Sequence, residues 1–459
     1  MPEKYDAIII GSGIGGAAIG ALLAHAGRNV VVLEKNKLPG GRCISYDRDG
    51  YLLDLGWHFF CLAEKGPLGE ICNRIGMPGI IPWNTVKNTY LQIGEVVEKY
   101  TKKAMFAAVP EPDRGQLEKL FTKVFTITDE ELEKLWYVPV EQWVHSFTKN
   151  AMANTIIDSF VCQYFCIPST VASTAEFIRA FRDVMVAKAS AYPDGGNTAV
   201  PTAYLSAMEK LGGTLKTNAG VKKIIVENNT AVGVVCEDGT EYRAPLIISN
   251  ADISVTVLDL VGESHFPGDY VAKIKGLTYS IQGVVLRMVL SEKVTDKQCV
   301  IYIPDENSPP LKVTDQMKRG EVPDLVAGCY GSPTNFDPSM APNGKQLLTS
   351  LHGCPPDITD NLDRWKEALV NSHMKVFPEA KGKVEKVWID PPKLVNAFAG
   401  EGGNIIGVAQ TVDQIHERRP SVVSPLKGLY FSSAEAGGHG IGTELAANSA
   451  LELFEILKN

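Results

Sequence analysis

The chain has 459 residues, 45% of them apolar and 21% charged, a balance ordinary for a soluble globular protein with two or three cores. Its formal charge of -8 and its lack of dense Lys/Arg clusters argue against nucleic acid as a partner and against strong attachment to anionic lipid. Nine scattered cysteines without a CxxC pair suit a reducing compartment, so a cytoplasmic location is expected. Cys162 and Cys166 lie one helical turn apart but read as small core residues, and no metal site is expected.

The first strand begins within about five residues of Met1, so no signal peptide is expected before it. Ala7 to Gly27 carries no charged residue and is long enough to imitate a membrane helix. It also holds six glycines, and a soluble fold explains their pattern better. Asp6 to Ile10 is a β-branched apolar run, as in a buried parallel strand. It runs into Gly11-Ser12-Gly13-Ile14-Gly15-Gly16, then a helix of small and aliphatic residues that Gly27 ends. Asn29 to Leu33 reads as a second buried strand, closing in Glu34, 18 residues after Gly16.

Each part of this strand–turn–helix–strand unit has a physical role in holding a dinucleotide. Gly11 permits the tight turn, Gly13 lets backbone approach a pyrophosphate, and Gly16 lets the helix pack closely on the sheet. The helix N-terminus offers free N–H groups to phosphate. Glu34 accepts hydrogen bonds from ribose hydroxyls and disfavours a 2′-phosphate. Residues 11 to 16, Glu34 and Lys35 are therefore expected at the cofactor.

The second strand continues into Glu34-Lys-Asn-Lys-Leu-Pro-Gly40-Gly41-Arg42, where two glycines again expose backbone and Arg42 is able to pair with phosphate. Asp54-Leu-Gly56-Trp57-His58 follows. Here the chain resembles the flavin amine oxidase and phytoene desaturase superfamily. The resemblance implies FAD, with Gly40, Gly41 and Arg42 at the pyrophosphate and Gly56, Trp57 and His58 beside the flavin. Two later stretches extend it. Asn218 to Ile224 and a strand pair, Ile225 to Cys236 and Glu241 to Ile248 about an Asp238-Gly239 turn, close in Ser249-Asn250-Ala251-Asp252. The resemblance places Val221 at the adenine and Asn250 at the cofactor. This ending is more similar to carotenoid desaturases, carotenoid isomerases and retinol saturases than to amine oxidases. Leu429 to Ser432 leads through a glycine-rich turn into a helix near Gly442 and Thr443. That segment is similar to the C-terminal flavin motif, in which Glu435 would meet the ribityl chain. Ala434 stands where the family often has glycine.

The fold class expected is α/β: a Rossmann-type FAD-binding domain assembled from three separated segments, 1–75, 190–255 and 425–459, plus a mixed α+β substrate domain from 76–189 and 256–424. Residues 76 to 190 read as mostly helical, over 113–134, 137–147 and 151–165. In 256–424 strands are expected over 280–290, 326–330 and 345–352 and a helix over 357–376. Pro-rich linkers are expected at 304–310 and 390–392.

No second GxGxxG follows a strand, so no NAD(P)H site is expected, and oxygen, a quinone or a protein would reoxidise the flavin. The resemblance implies hydride transfer between a carbon of a small apolar substrate, isoprenoid or alicyclic, and flavin N5, as in a desaturase or saturase. His58 and His439 border the implied flavin and are candidate catalytic groups. An amine oxidase and a non-redox double-bond isomerase are the alternatives. A flavin-free GDP dissociation inhibitor shares the fold but loses the third glycine, and this chain keeps Gly16, Glu34 and Arg42. Peripheral membrane contact is left open.

Overall fold

The structure, a computed structural model, describes residues 4–305, 319–399 and 404–458. Ala7–Ile10 and Val30–Leu33 are buried at every residue, as strands covered on both faces must be. They form the middle of a five-stranded parallel sheet ordered 429–431, 246–249, 7–10, 30–33, 214–216. The strands come from near both ends of the chain as well as from its middle. Helix Ile14–His25 covers one face and is buried along almost its whole length. Gly20 explains the close fit: a Cβ there would meet Met208 Sδ at 3.0 Å and Ile9 Cδ1 at 3.3 Å. Helices Ala199–Lys210 and Thr443–Leu457 pack against the same helix. Ile8, Ile10, Val31 and Leu33 point to the other face, toward Ile224, Val234 and Val257.

The expected strand pair between Ile225 and Ile248 is instead four strands in two sheets. Val221–Glu227, Thr230–Cys236 and Glu241–Arg243 form a three-stranded antiparallel sheet, and Leu246–Ser249 belongs to the parallel one. The extra turn is at Asn228-Asn229, both with positive φ, a conformation that asparagine tolerates.

A seven-stranded sheet, ordered 384–390, 282–290, 346–354, 328–331, 299–303, 89–93, 96–99, forms the second body. Val284, Leu286 and Met288 face helix Leu362–Val376 through Trp365 and Leu369. On the other side, Cys299, Ile301 and Ile303 pack into a helical layer that includes Ala151–Phe165 and Thr174–Ala187. Residues 76 to 190 are thus helical only from Lys102 onward. Trp83–Thr85, Thr89–Ile93 and Val96–Lys99 precede as strands, the last two forming a hairpin edge of the large sheet. The expected helix over 113–134 is two, Glu111–Thr126 and Asp129–Glu133. Thr128 restarts the second through a capping box with Glu131.

Asp390-Pro-Pro392 is no linker: it turns strand Val384–Asp390 directly into helix Pro392–Ala399. The expected linker at 304–310 falls largely outside the described residues. Among the described residues no helix is long and apolar enough to cross a membrane.

Candidate active site

A cavity of about 830 Å³ runs from the glycine turn of the parallel sheet to the space between the large sheet and the helical layer. One limb is walled by backbone and charge: Gly11 to Gly15, Glu34, Lys35, Gly40 to Arg42, Asn250 and Glu435. The other is walled by Phe59, Ile167, Ile281, Ile301, Tyr302 and Leu351, among others.

The glycine turn has no space for side chains. A Cβ on Gly13 would lie 2.6 Å from Asn250 Oδ1, and one on Gly15 would overlap Ser432 O. Asn250 is held there by donating from Nδ2 to Ser432 O at 2.6 Å. Asn250 therefore braces the turn from behind while also facing the cavity. No side chain caps helix 14–25 or helix 443–457, and residues at both N-termini line the cavity. Two helix dipoles thus present their positive ends to it.

Glu34 is buried at the end of its strand. Its Oε2 accepts from Ser12 N–H at 3.1 Å and Ser12 Oγ–H at 2.6 Å, and its Oε1 from Asn36 N–H at 2.8 Å. Ser12 Oγ in turn accepts from Gly40 N–H at 3.1 Å, which ties the two glycine-rich turns together. Arg42 donates to Asn404 Oδ1 at 2.9 Å and to Asn404 O at 3.1 Å, and its guanidinium lies 3.5 Å from Glu435 Oε1. Burial, reinforced by Asp252, pushes the Glu435 carboxyl up to about 7, while Arg42 pulls the other way. Ile253 N–H donates to its Oε2 at 2.7 Å. Asn404 Nδ2 is buried without a partner among the described residues, a donor beside an anion-binding guanidinium. Uncapped helix ends and a cradle closed to side chains fit an FAD pyrophosphate.

At the junction of the limbs, Gly56, Trp57 and His58 line the cavity. Asp54 stands behind them, fully buried, accepting from Ser45 Oγ at 2.7 Å, from Asn197 N–H at 2.9 Å and from Tyr192. His58 Nδ1 lies 3.0 Å from Gly56 O and 3.1 Å from Asn197 Nδ2. Its Nε2 has no partner among the described residues, and burial lowers its pKa. Burial thus favours the neutral ring, which lines the cavity with Nε2 itself buried.

Eighteen of the sequence-predicted site residues line the cavity: Gly11 to Gly15, Glu34, Lys35, Gly40, Gly41, Arg42, Gly56, Trp57, His58, Val221, Asn250, Glu435, Gly442 and Thr443. Two do not. Gly16 faces the sheet, where a Cβ would overlap Gly11 O, so it serves helix–strand packing rather than contact with a ligand. His439 is also outside the lining: its Nε2 is 3.1 Å from Arg179 Nη2, and burial together with that cation lowers it to about 4. A ring turned toward an arginine in the helical layer is not placed as a base beside the flavin motif.

Several residues in or behind the wall carried no signal in the sequence. Asn404 orients Arg42, and Glu237 meets Gly220 near Val221. His352, on strand 346–354, is lowered to about 3 by burial and by nearby His373. A search for polar residues next to glycine turns would have found Glu237; nothing local marks the other two.

The chain matches the family described as flavin containing amine oxidoreductase over residues 14–452. It is 28% identical to the prolycopene isomerase of Daucus carota over 460 residues, covering 88% of this chain and 72% of that one. It is 22% identical to the all-trans-retinol 13,14-reductase of Rattus norvegicus over 508 residues, covering 95% and 83%. An oxidoreductase structure from Methanosarcina mazei superposes with a TM-score of 0.78 at 19% identity, covering 98% of this chain and 99% of that one. The chain belongs to the flavin containing amine oxidoreductase family and is an FAD-dependent oxidoreductase.

Proposed function

We propose that this enzyme moves hydride between a carbon of an apolar isoprenoid or alicyclic substrate and the flavin, as a C–C desaturase or a saturase. One observation carries the reading: the glycine cradle opens directly into a limb walled by Phe59, Ile167, Ile281, Ile301, Tyr302 and Leu351. The retinol reductase and prolycopene isomerase relatives support the same substrate class. FAD, when bound, supplies N5 as the hydride acceptor or donor. Residues 11–15, Glu34, Lys35, Gly40, Gly41, Arg42, Val221, Asn250 and Glu435 would hold it, within a domain formed by 1–75, 190–255 and 425–459. Gly442 and Thr443 would bring the helix N-terminus to it, where the dipole stabilises negative charge. Residues 76–189 and 256–424 would hold the substrate, their apolar wall excluding water. His58, on the cavity wall, would take or give the proton on the neighbouring carbon. Oxygen, a quinone or a protein would take the electrons, and we assign the location to the cytoplasm, with peripheral membrane contact left open.

A second reading, non-redox double-bond isomerisation, is favoured by the prolycopene isomerase relatives. Product mass separates the two. The protein would be reduced anaerobically, challenged with air, NADP⁺ and a soluble quinone, and incubated with polyene and alicyclic substrates. Gain or loss of two hydrogens supports the desaturase or saturase. An unchanged product mass with rearranged double bonds supports the isomerase. Peroxide release with amines would replace both with an amine oxidase.

A further inference from the structure

The large sheet holds a thiol pair that neither cofactor binding nor hydride transfer uses. Strands Cys299–Ile303 and Gly328–Gly331 run antiparallel, with Cys299 opposite Gly331 and Ile301 opposite Cys329. The two cysteines are thus diagonal neighbours on one face of the sheet. Their Sγ atoms lie 3.0 Å apart, about 1 Å more than a disulfide bond of ~2.05 Å. Cys329 lines the cavity; Cys299 is completely buried behind it.

We propose that Cys299 and Cys329 are a reversible disulfide site on the cavity wall, closed by a small hydroperoxide. The positions set the order of events. Cys329, on the cavity, meets the oxidant first: its sulfur attacks the O–O bond, becoming a sulfenic acid and releasing an alcohol, or water from hydrogen peroxide. Cys299 then attacks that sulfur and expels water. Two thiol hydrogens leave with the peroxide oxygens, and the two electrons of the new S–S bond's formation reduce the peroxide. The S–H···S contact and burial hold the Cys299 thiol well above its usual range, so it waits as a protonated resolving partner.

The wall beside Cys329 is closely packed. A Cβ on Gly328 would lie 2.7 Å from His352 Nδ1, and one on Gly331 would overlap the Trp57 indole. His352 and Trp57 both line the cavity. Closing the bridge joins the two strands covalently on the face that carries Trp57, and so marks the oxidised enzyme at the substrate limb.

The test uses the full-length FAD-loaded protein. It is treated with hydrogen peroxide, alkylated in denaturant and mapped by peptide mass. The expected result is that two of the nine cysteines become blocked, in a cross-linked peptide joining 299 to 329 that a dithiol reductant releases. In Cys299→Ala the cross-link disappears and Cys329 proceeds to sulfinic acid. The proposal is overturned if all nine cysteines alkylate, if Cys329 bridges to Cys61 instead, or if Cys329 oxidises beyond sulfenic acid in the wild type. The wild-type map decides the matter even where the variant fails to fold.

Discussion

Between Gly11 and Gly15 the cavity wall is largely backbone; between Gly328 and Gly353 it carries side chains such as Cys329, Leu351 and His352. The first wall has its shape set by φ angles and by atoms such as Ser432 O that leave no room for a Cβ. It presents N–H groups and helix dipoles, which recognise phosphate whatever lies at the far end of the molecule. The second wall consists of exchangeable apolar groups on a fixed sheet. Substitutions in the first wall should remove the cofactor. Substitutions in the second should leave the protein yellow and change what it converts.

Four outcomes sharpen or break that contrast, from the largest effect down. Gly15→Ala drives a Cβ into Ser432 O, and since overpacking costs about 1–3 kcal/mol or more, we expect colourless, thermally weakened protein. A stable yellow variant would show that the turn is not rigid. Arg42→Ala and Glu34→Ala should each weaken FAD retention about 10–100-fold, roughly 1.4–2.8 kcal/mol, read by flavin release on dilution. Leu351→Ala, in the apolar limb, should retain full flavin absorbance while kcat/KM falls about tenfold, the scale of one or two methylenes in a pocket. If it loses FAD instead, the two limbs are not separable.

The smallest effect is a pH slope. Glu435 is raised from 4.5 to about 7 in the folded protein. A raised carboxyl binds its proton more tightly when folded, so its contribution is full below the unfolded value and is lost as pH rises through the folded one. Apoprotein stability should therefore decline between about pH 4.5 and 7 by this group. Glu435→Gln should flatten that decline in urea titrations; an unchanged slope would assign it to other groups.

The backbone wall was legible in the sequence because its determinants are local. Gly11 to Gly16, Glu34 and Gly40 to Arg42 lie within one strand–helix–strand unit, and spacing alone encodes their geometry. The C-terminal helix start at Gly442 was legible for the same reason. The second wall was not. Cys299 and Cys329 meet through sheet register, and His352 comes to the cavity through pairing of strands far apart in sequence. The hairpin 89–99 was missed because its second strand, Val96–Lys99, is exposed at every residue and lacks the alternation of a half-buried strand. His439 misled because its motif placed it near the flavin, whereas its direction depends on Arg179, 260 residues earlier.

The parallel sheet pairs 429–431 with 246–249 and 246–249 with 7–10. During synthesis the strand–turn–helix unit at 7–25 leaves the ribosome long before residues 429–431, and until they emerge its sheet lacks that edge strand. At about 5–20 residues per second, that interval lasts tens of seconds. Throughout it strand 246–249 is unpaired on one side and helix 14–25 lacks the cover of helix 443–457. Nascent chains that stall before Leu429 should therefore expose this apolar surface to chaperones and fail to retain flavin, however much of the substrate limb has already formed.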